Sequence, residues 1–116
     1  MNVNGRFWIE HDGHSLAGRG RIELLERIAD CGSIAEAAKG MKMSYKAAWD
    51  AIDAINRVST QPIVTRNKGG RAGGGTQLTE HGRALIRAYR DMEQEHRDFL
   101  VAMHVRYAAV LVGDAA

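Results

Sequence analysis

The sequence predicts a mainly α-helical, winged helix-turn-helix protein. Three features favour it: two short helices with strong N-caps lie either side of a tight turn, two short strands flank a glycine-rich basic loop, and a long amphipathic helix follows. A chain of 116 residues has room for one hydrophobic core, so we expect residues 1–116 to form a single domain.

Composition indicates an ordinary globular protein of a reducing compartment. Hydrophobic residues make up 45% of the chain and charged residues 26%, which are globular proportions. Cys31 is the single cysteine and has no internal disulfide partner. The N-terminus has no basic segment followed by an apolar run, and no apolar run reaches membrane-spanning length. We therefore expect a cytoplasmic, nucleoid-associated protein that makes no membrane contact.

The N-terminal segment predicts one short strand. Residues 6–10 are rich in β-forming side chains and end at the turn formed by Asp12 and Gly13. His11 and His14 flank this turn, and we interpret them as exposed turn residues, since a metal site would need further ligands nearby.

Two helices follow with clear boundaries. From Arg21 onward, apolar residues recur at helical spacing until Gly32, which ends the first helix. Ser33 and Glu36 form a capping box that opens a second helix, and Gly40 ends it. Residues 41–43 are then left as a three-residue turn.

A third helix is predicted from about Tyr45 to Val58, with Ser44 as its N-cap. Its buried stripe consists of Ala48, Ile52 and Ile55. The opposite face presents polar and aromatic side chains, namely Tyr45, Lys46, Trp49, Asp50, Asp53, Asn56 and Arg57.

Residues 62–78 predict the wing, a two-stranded hairpin with a long loop. Pro62 cannot continue a helix, residues 63–65 favour a strand, and residues 76–78 favour the returning strand. Between them, residues 67–75 include five glycines. A nucleotide-binding loop is excluded because no Gly-Lys-Ser/Thr follows and because the segment precedes a strand instead of a helix.

The C-terminal part predicts one long helix over about residues 79–111, with Thr79 as its cap. Its apolar and amphipathic residues recur in near-heptad steps, which favours a homodimer seam formed by Leu85, Tyr89, Met92, His96, Phe99, Met103 and Tyr107. If His96 of two copies faced each other, protonation would place like charges together and weaken the dimer. An exposed His96 beside Glu93 or Asp98 is the alternative.

The net charge of +2 is unevenly distributed along the chain. Residues 39–90 hold ten cationic and three acidic side chains, whereas residues 1–38 and 91–116 both carry net negative charge. A basic middle between acidic ends suits a partner with a phosphate backbone, such as double-stranded DNA.

In a helix-turn-helix, the start of the second helix meets base edges while the wing lies along the duplex. We therefore expect Ser44, Tyr45 and Lys46 to contact DNA, although N-capping alone would also explain Ser44. Trp49 would touch the DNA backbone or pack under the hairpin. Asp50 would accept from a cytosine or, more simply, orient Lys46 four residues earlier. In the wing, the candidates for phosphate or minor-groove contact are Arg66, Lys68 and Arg71.

Several strings resemble the DNA-binding domain of the molybdate-responsive ModE regulators. They are residues 32–38 (GSIAEAA), 43–50 (MSYKAAWD), 62–66 (PIVTR) and 78–82 (LTEHG), and the layout is more distantly similar to the LysR-type regulators. The resemblance covers roughly residues 5–100 and implies a dimeric bacterial transcription regulator that binds a pseudo-palindromic operator. Family members that sense molybdate carry further oxyanion-binding domains, whereas this chain ends at Ala116. The resemblance thus implies DNA binding without a molybdate-sensing domain, and either a separate effector-sensing protein or constitutive activity.

The predicted function is therefore sequence-specific DNA binding in transcription regulation. The alternative is a protein-interaction module that docks a partner through the C-terminal helix. Enzyme activity is not expected, since Cys31 has no histidine close in sequence and no paired carboxylates stand out. His96 and His104 lie too far apart to form a close metal-binding pair, so we expect no metal and no cofactor.

Overall fold

The computed structural model describes residues 2–66 and 75–113. Along the chain, the elements are β1 (Ile9–His11), β2 (His14–Ala17), α1 (Arg19–Cys31), α2 (Ile34–Gly40), α3 (Tyr45–Val58), β3 (Val64–Arg66), β4 (Thr76–Leu78) and α4 (Glu80–Val112). The predicted mainly α architecture, with a helix-turn-helix, a two-stranded wing and a long last helix, is confirmed.

The N-terminal strand differs from the prediction. It begins at Ile9 instead of Arg6, and it pairs with a second strand, β2, that the sequence reasoning missed. Asp12 and Gly13, both at positive φ, form the turn between the two strands. Phe7 lies outside β1, and its ring stacks on Tyr89 of α4, with centroids 4.9 Å apart.

Helices α2 and α3 have the predicted boundaries and caps, and α1 ends at Gly32 as predicted but begins at Arg19, two residues before the predicted start. Gly32 ends α1 in the left-handed conformation (φ 68°), and its N–H donates to Ile28 O at 2.7 Å. Ser33 Oγ accepts from Glu36 N at 3.1 Å, so the serine half of the capping box is confirmed. The buried side chains of the three helices are Ile22, Leu24, Leu25, Ile28, Ile34, Ala37, Ala38, Ala48, Ile52 and Ile55.

The wing strands pair antiparallel, with Val64 opposite Leu78 and Arg66 opposite Thr76. β3 begins one residue later than predicted, since its pairing with β4 starts at Val64. β4 is attached to the end of α1, since Thr76 N donates to Gly32 O at 3.0 Å. The loop candidates Lys68 and Arg71 lie outside the described residues.

Thr79 links the wing to α4. As predicted, its Oγ1 caps the helix by accepting from Gly82 N at 3.0 Å, and it also donates to Pro62 O at 2.6 Å. The backbone N–H of Thr79 donates to Ile63 O at 2.9 Å. The first turn of α4 is therefore held close to the start of the wing.

The described chain forms two compact units. One comprises residues 8–87 and contains the helix-turn-helix and the wing; the other comprises residues 2–7 and 88–113. In the second unit, the Phe7 ring contacts Tyr89 and, edge-on, His96 at 5.2 Å between centroids. A side chain at Gly5 would begin 3.2 Å from His96 Nε2, so this arm of the chain lies close to α4. In the described part of the chain, no helix combines the length and the apolar character needed to span a membrane.

We predict that Gly82→Ala destabilises the residue 8–87 unit. An added Cβ would collide with Ile63 O, a backbone atom that also accepts from Thr79 N. Displacing such a packed group typically costs about 1–3 kcal/mol, which outweighs the helix propensity gained from alanine. Urea unfolding followed by circular dichroism measures the loss.

Gly20→Ala is the matched control, because Gly20 is also helical and its added Cβ would meet nothing within 4 Å. We expect this variant to be as stable as the parent or slightly more stable. Equal unfolding midpoints for the two variants would contradict the close packing of Gly82.

Candidate nucleic-acid interface

The turn between α2 and α3 is tight and fixed by backbone hydrogen bonds. Met43 N donates to Ala38 O at 2.9 Å, and Lys42 N donates to Lys39 O at 3.1 Å. Lys42 occupies the left-handed region (φ 56°), which a non-glycine residue adopts at some cost. The turn therefore fixes the direction in which α3 leaves α2.

The first turn of α3 presents polar groups at the surface. Ser44 Oγ caps the helix by accepting from Ala47 N at 3.0 Å. The side chains of Tyr45, Lys46 and Asp50 are exposed, while Ala48 beneath them is buried. The predicted division of α3 into a buried stripe and an exposed face is confirmed at these positions.

Lys46 and Asp50 form an ion pair across one helical turn. Lys46 Nζ lies 2.9 Å from Asp50 Oδ2, as expected if Asp50 orients the lysine. The hydrogen bond to Asp50, and then its negative charge, raise the pKa of Lys46 above the ordinary lysine value. Lys46 is thus a fully charged, pre-oriented cation at neutral pH.

Arg66 of β3 contacts two aromatic side chains of α3. Its Nη2 donates to Tyr45 Oη at 3.0 Å, and its guanidinium carbon lies 5.6 Å from the centre of the Trp49 ring. Trp49 is 36% exposed, and its ring contacts Arg66 at the end of β3, while its contact with DNA stays a prediction. The contact joins residues 21 positions apart and was not foreseen from the sequence.

Asn56 attaches the wing to α3 through three hydrogen bonds. Its Oδ1 accepts from Ile63 N at 2.9 Å and from Val64 N at 3.2 Å, while its Nδ2 donates to Val64 O at 3.2 Å. The sequence reasoning placed Asn56 only on the exposed face of α3. A short polar side chain in the last turn of a helix, shortly before a strand, was the one available signal.

Six of the predicted DNA-contact residues belong to one contiguous arrangement, hereafter the α3 surface. It consists of Ser44, Tyr45, Lys46, Trp49, Asp50 and Arg66. Lys46 and Arg66 supply the positive charges, and Asp50 partly offsets the first. The geometry offers hydrogen-bond donors and cations to an acceptor-rich, negatively charged partner.

The predicted seam residues of α4 differ in exposure. Tyr89 is buried under Phe7, and Leu85, His96 and Met103 are half-buried, whereas Met92, Phe99 and Tyr107 are exposed. Further apolar side chains of α4 are exposed outside the seven predicted positions, namely Val101, Val105, Val110, Leu111 and Val112. Such a surface is typical of a helix that packs against another chain.

The chemistry of the remaining candidates is limited. Cys31 is exposed, and its Sγ donates to Ser33 O at 3.3 Å. His11 and His14 are exposed, as expected, but they are the end residues of β1 and β2 and not turn residues. Over residues 2–66 and 75–113, the structure shows no group of three or more His, Cys, Asp or Glu side chains placed to hold a metal ion.

Comparison with known proteins identifies a family match for residues 20–83, described as "Bacterial regulatory helix-turn-helix protein, lysR family". The matched segment is more than half of the chain and contains α1, α2, α3 and the wing strands. A crystal structure of a LysR family transcriptional regulator covers 82% of this chain and 30% of its own, with a TM-score of 0.53 and 16% identity. This likeness supports the fold.

Curated relatives are considerably more similar in sequence. "Molybdenum transport protein ModE" of Azotobacter vinelandii is 50% identical over 94 residues, which are 81% of this chain and 35% of that protein. "DNA-binding transcriptional dual regulator ModE" of Escherichia coli K12 is 49% identical over 69 residues, 60% of this chain and 26% of that protein. "Molybdenum-pterin-binding protein MopA" of Rhodobacter capsulatus is 44% identical over 81 residues, 70% of this chain and 31% of that protein. The chain spans about a third or less of the length of these relatives.

We predict that Asn56→Ala frees the wing strand from α3. The variant leaves the N–H groups of Ile63 and Val64 and the carbonyl of Val64 without their side-chain partner, at a cost of about 1–3 kcal/mol. Hydrogen exchange should show faster exchange at the Ile63 and Val64 amides, and urea unfolding should show the lost stability.

Asp53→Ala is the control on the same helix, since it removes only an exposed ion pair with Arg57. Its stability should stay within about 0.5 kcal/mol of the parent. Unchanged exchange at both amides in Asn56→Ala would refute the proposed attachment.

Proposed function

Because the chain belongs to the lysR family of bacterial regulatory helix-turn-helix proteins, we propose that it is a ModE-like transcription regulator that binds specific sequences of double-stranded DNA as a homodimer. The observation that carries the proposal is the α3 surface, where Tyr45 and Lys46 stand exposed at the start of the second helix of the motif. No catalytic step is part of the proposal.

In the proposed complex, the first turn of α3 enters the major groove. The groove admits one helix and exposes base-edge acceptors and donors, which side chains at the helix start can reach. Tyr45 would offer its hydroxyl to the base edges, and Lys46, already oriented by Asp50, would offer its ammonium group to a phosphate beside the groove. The wing, with Lys68 and Arg71 in its loop, would lie against the phosphate backbone.

Helix α4 supports the homodimer part of the proposal. It runs from Glu80 to Val112, about 50 Å at 1.5 Å per residue, and exposes Met92, Phe99, Val105 and Tyr107. Pairing of two such helices would cover these side chains. A two-fold dimer would place two copies of α3 roughly 34 Å apart, one turn of the duplex, and would match a pseudo-palindromic operator.

Selection of genomic DNA fragments by the purified protein, with competitor DNA at physiological salt, tests the function directly. Enrichment of an inverted repeat would establish the operator, and the neighbouring genes would show whether molybdenum metabolism is regulated. If no fragment is enriched, sequence-specific binding by this chain is refuted. A cytoplasmic, nucleoid-associated location follows from the proposal.

We predict that Lys46→Ala weakens binding to an enriched fragment and to a scrambled duplex by similar factors. A lysine that meets phosphate releases a counterion, so its loss should lower the slope of log K against log salt by about one. Fluorescence anisotropy at several salt concentrations measures both quantities.

Arg57→Ala is the matched loss of one positive charge. Arg57 lies 11 residues further along α3, roughly 16 Å away, and pairs with Asp53. The control should change the affinity and the salt slope much less. Equal losses in the two variants would show that Lys46 acts only through net charge.

We also predict that Phe99→Glu combined with Val105→Glu produces a folded monomer. Phe99 is 61% exposed and Val105 75% exposed, so the charges should not disturb the subunit, while burying them between two helices would be costly. Sedimentation velocity should show a monomer, and binding to an inverted repeat should fall towards that of a half-site. Arg97→Glu, an exposed change outside the predicted seam, should leave the dimer intact; a dimer in the double variant would contradict the interface.

A further inference from the structure

We infer that Arg66 is a positioning residue for Tyr45 and that Tyr45 meets DNA as a hydrogen-bond donor. The inference rests on the proposed DNA-binding function and refines it. It assigns to Arg66 a role different from direct phosphate contact, and it specifies the chemical class of DNA group that Tyr45 reads.

Two contacts with α3 constrain the side chain of Arg66. Its Nη2 donates to Tyr45 Oη at 3.0 Å, and its guanidinium lies over the Trp49 ring at 5.6 Å. A planar guanidinium that stacks on an aromatic ring while its edge donates a hydrogen bond is fixed in both tilt and rotation. Lysine would keep the charge but not this combination of contacts.

The hydrogen bond from Arg66 determines how the Tyr45 hydroxyl can bond to other groups. A phenol has one proton to donate and oxygen lone pairs with which to accept. Since Arg66 donates to the oxygen, the Tyr45 proton is directed elsewhere, and a hydroxyl that accepts from a cation becomes a stronger donor. Tyr45 is 50% exposed, so that proton is available at the surface of the first turn of α3.

As a donor, the Tyr45 hydroxyl would form hydrogen bonds with acceptor groups of the DNA bases. The acceptors in the major groove are purine N7, guanine O6 and thymine O4, whereas the amino groups of adenine and cytosine are donors. With its acceptor side occupied by Arg66, Tyr45 would favour the first class and disfavour the second. Selectivity at one base position would therefore depend on Arg66, although Arg66 itself would not touch the base.

A double-mutant cycle with Tyr45→Phe and Arg66→Lys tests the inference. Affinities are measured for a fragment enriched by the parent protein and for a scrambled duplex of the same length. Each single variant should lose about tenfold in affinity for the enriched fragment, the value of one good contact, with little loss for the scrambled duplex. The double variant should lose about the same as each single variant, because both remove one shared interaction. The salt slope should be unchanged, since Arg66→Lys keeps the charge.

Three results would overturn the inference while leaving the proposed function in place. They are multiplied losses in the double variant, equal losses on the two duplexes, or full affinity in Arg66→Lys together with a reduced salt slope in Arg66→Gln, which would indicate phosphate contact. Both side chains are exposed, and circular dichroism unfolding verifies that each variant is folded. Failure of the parent to enrich any fragment would instead refute the function itself.

Discussion

The α3 surface depends on the amide side chain of Asn56, which fixes the wing strand β3 to α3 through three hydrogen bonds. The pairing of β3 with β4 starts only at Val64, so the N–H of Ile63 has no partner in β4. Asn56 Oδ1 accepts from this N–H instead. By accepting two N–H groups and donating to Val64 O, Asn56 fixes both the position and the register at which β3 begins. Arg66 follows two residues later, and its distance from Tyr45 and Trp49 is set by that register. The attachment through Asn56 thus determines where Arg66 stands relative to Tyr45 and Trp49.

The two cationic side chains of the α3 surface, Lys46 and Arg66, are both oriented by contacts within the protein. Lys46 pairs with Asp50, and Arg66 donates to Tyr45, so each long side chain has a partner within the protein that favours one orientation. Ordering such side chains on binding costs roughly 0.5–1.5 kcal/mol each, and a side chain ordered beforehand avoids part of that cost. Asp50 reduces the net charge of the surface, yet its effect on Lys46 is directional. Asp50 thus weakens the nonspecific attraction between the α3 surface and a polyanion, while it gives Lys46 a defined orientation. In the proposed DNA complex, this combination would favour binding to specific sequences.

The sequence was sufficient wherever the determining interactions are local. Helical spacing and the serines at positions 33 and 44 located α2 and α3, since a cap and its N–H partner lie three residues apart. Long-range contacts were not foreseen. Strand β2 (His14–Ala17) has little β propensity and forms because β1 pairs with it. Phe7 was expected in the first strand, but its ring stacks on Tyr89 of α4, which lies 82 positions later in the sequence. Likewise, no local pattern could have shown that Arg66 reaches Tyr45.

The sequence pattern of helix α4 likewise does not determine which contacts bury its apolar side chains. A heptad pattern reports which residues prefer burial, but it does not report what buries them. Tyr89 fits the pattern and is covered by Phe7 of its own chain, whereas Phe99 and Tyr107 fit it and remain exposed. The N-terminal segment (residues 2–7) thus covers one part of the stripe within the chain, and the more C-terminal part is the surface that the proposed homodimer would cover. In the proposed complex that division would matter, because one small α3 surface offers only a few base contacts, while two copies joined through α4 would contribute their contacts together. Selectivity would then come from the start of α3, and pairing of the exposed end of α4 would increase it.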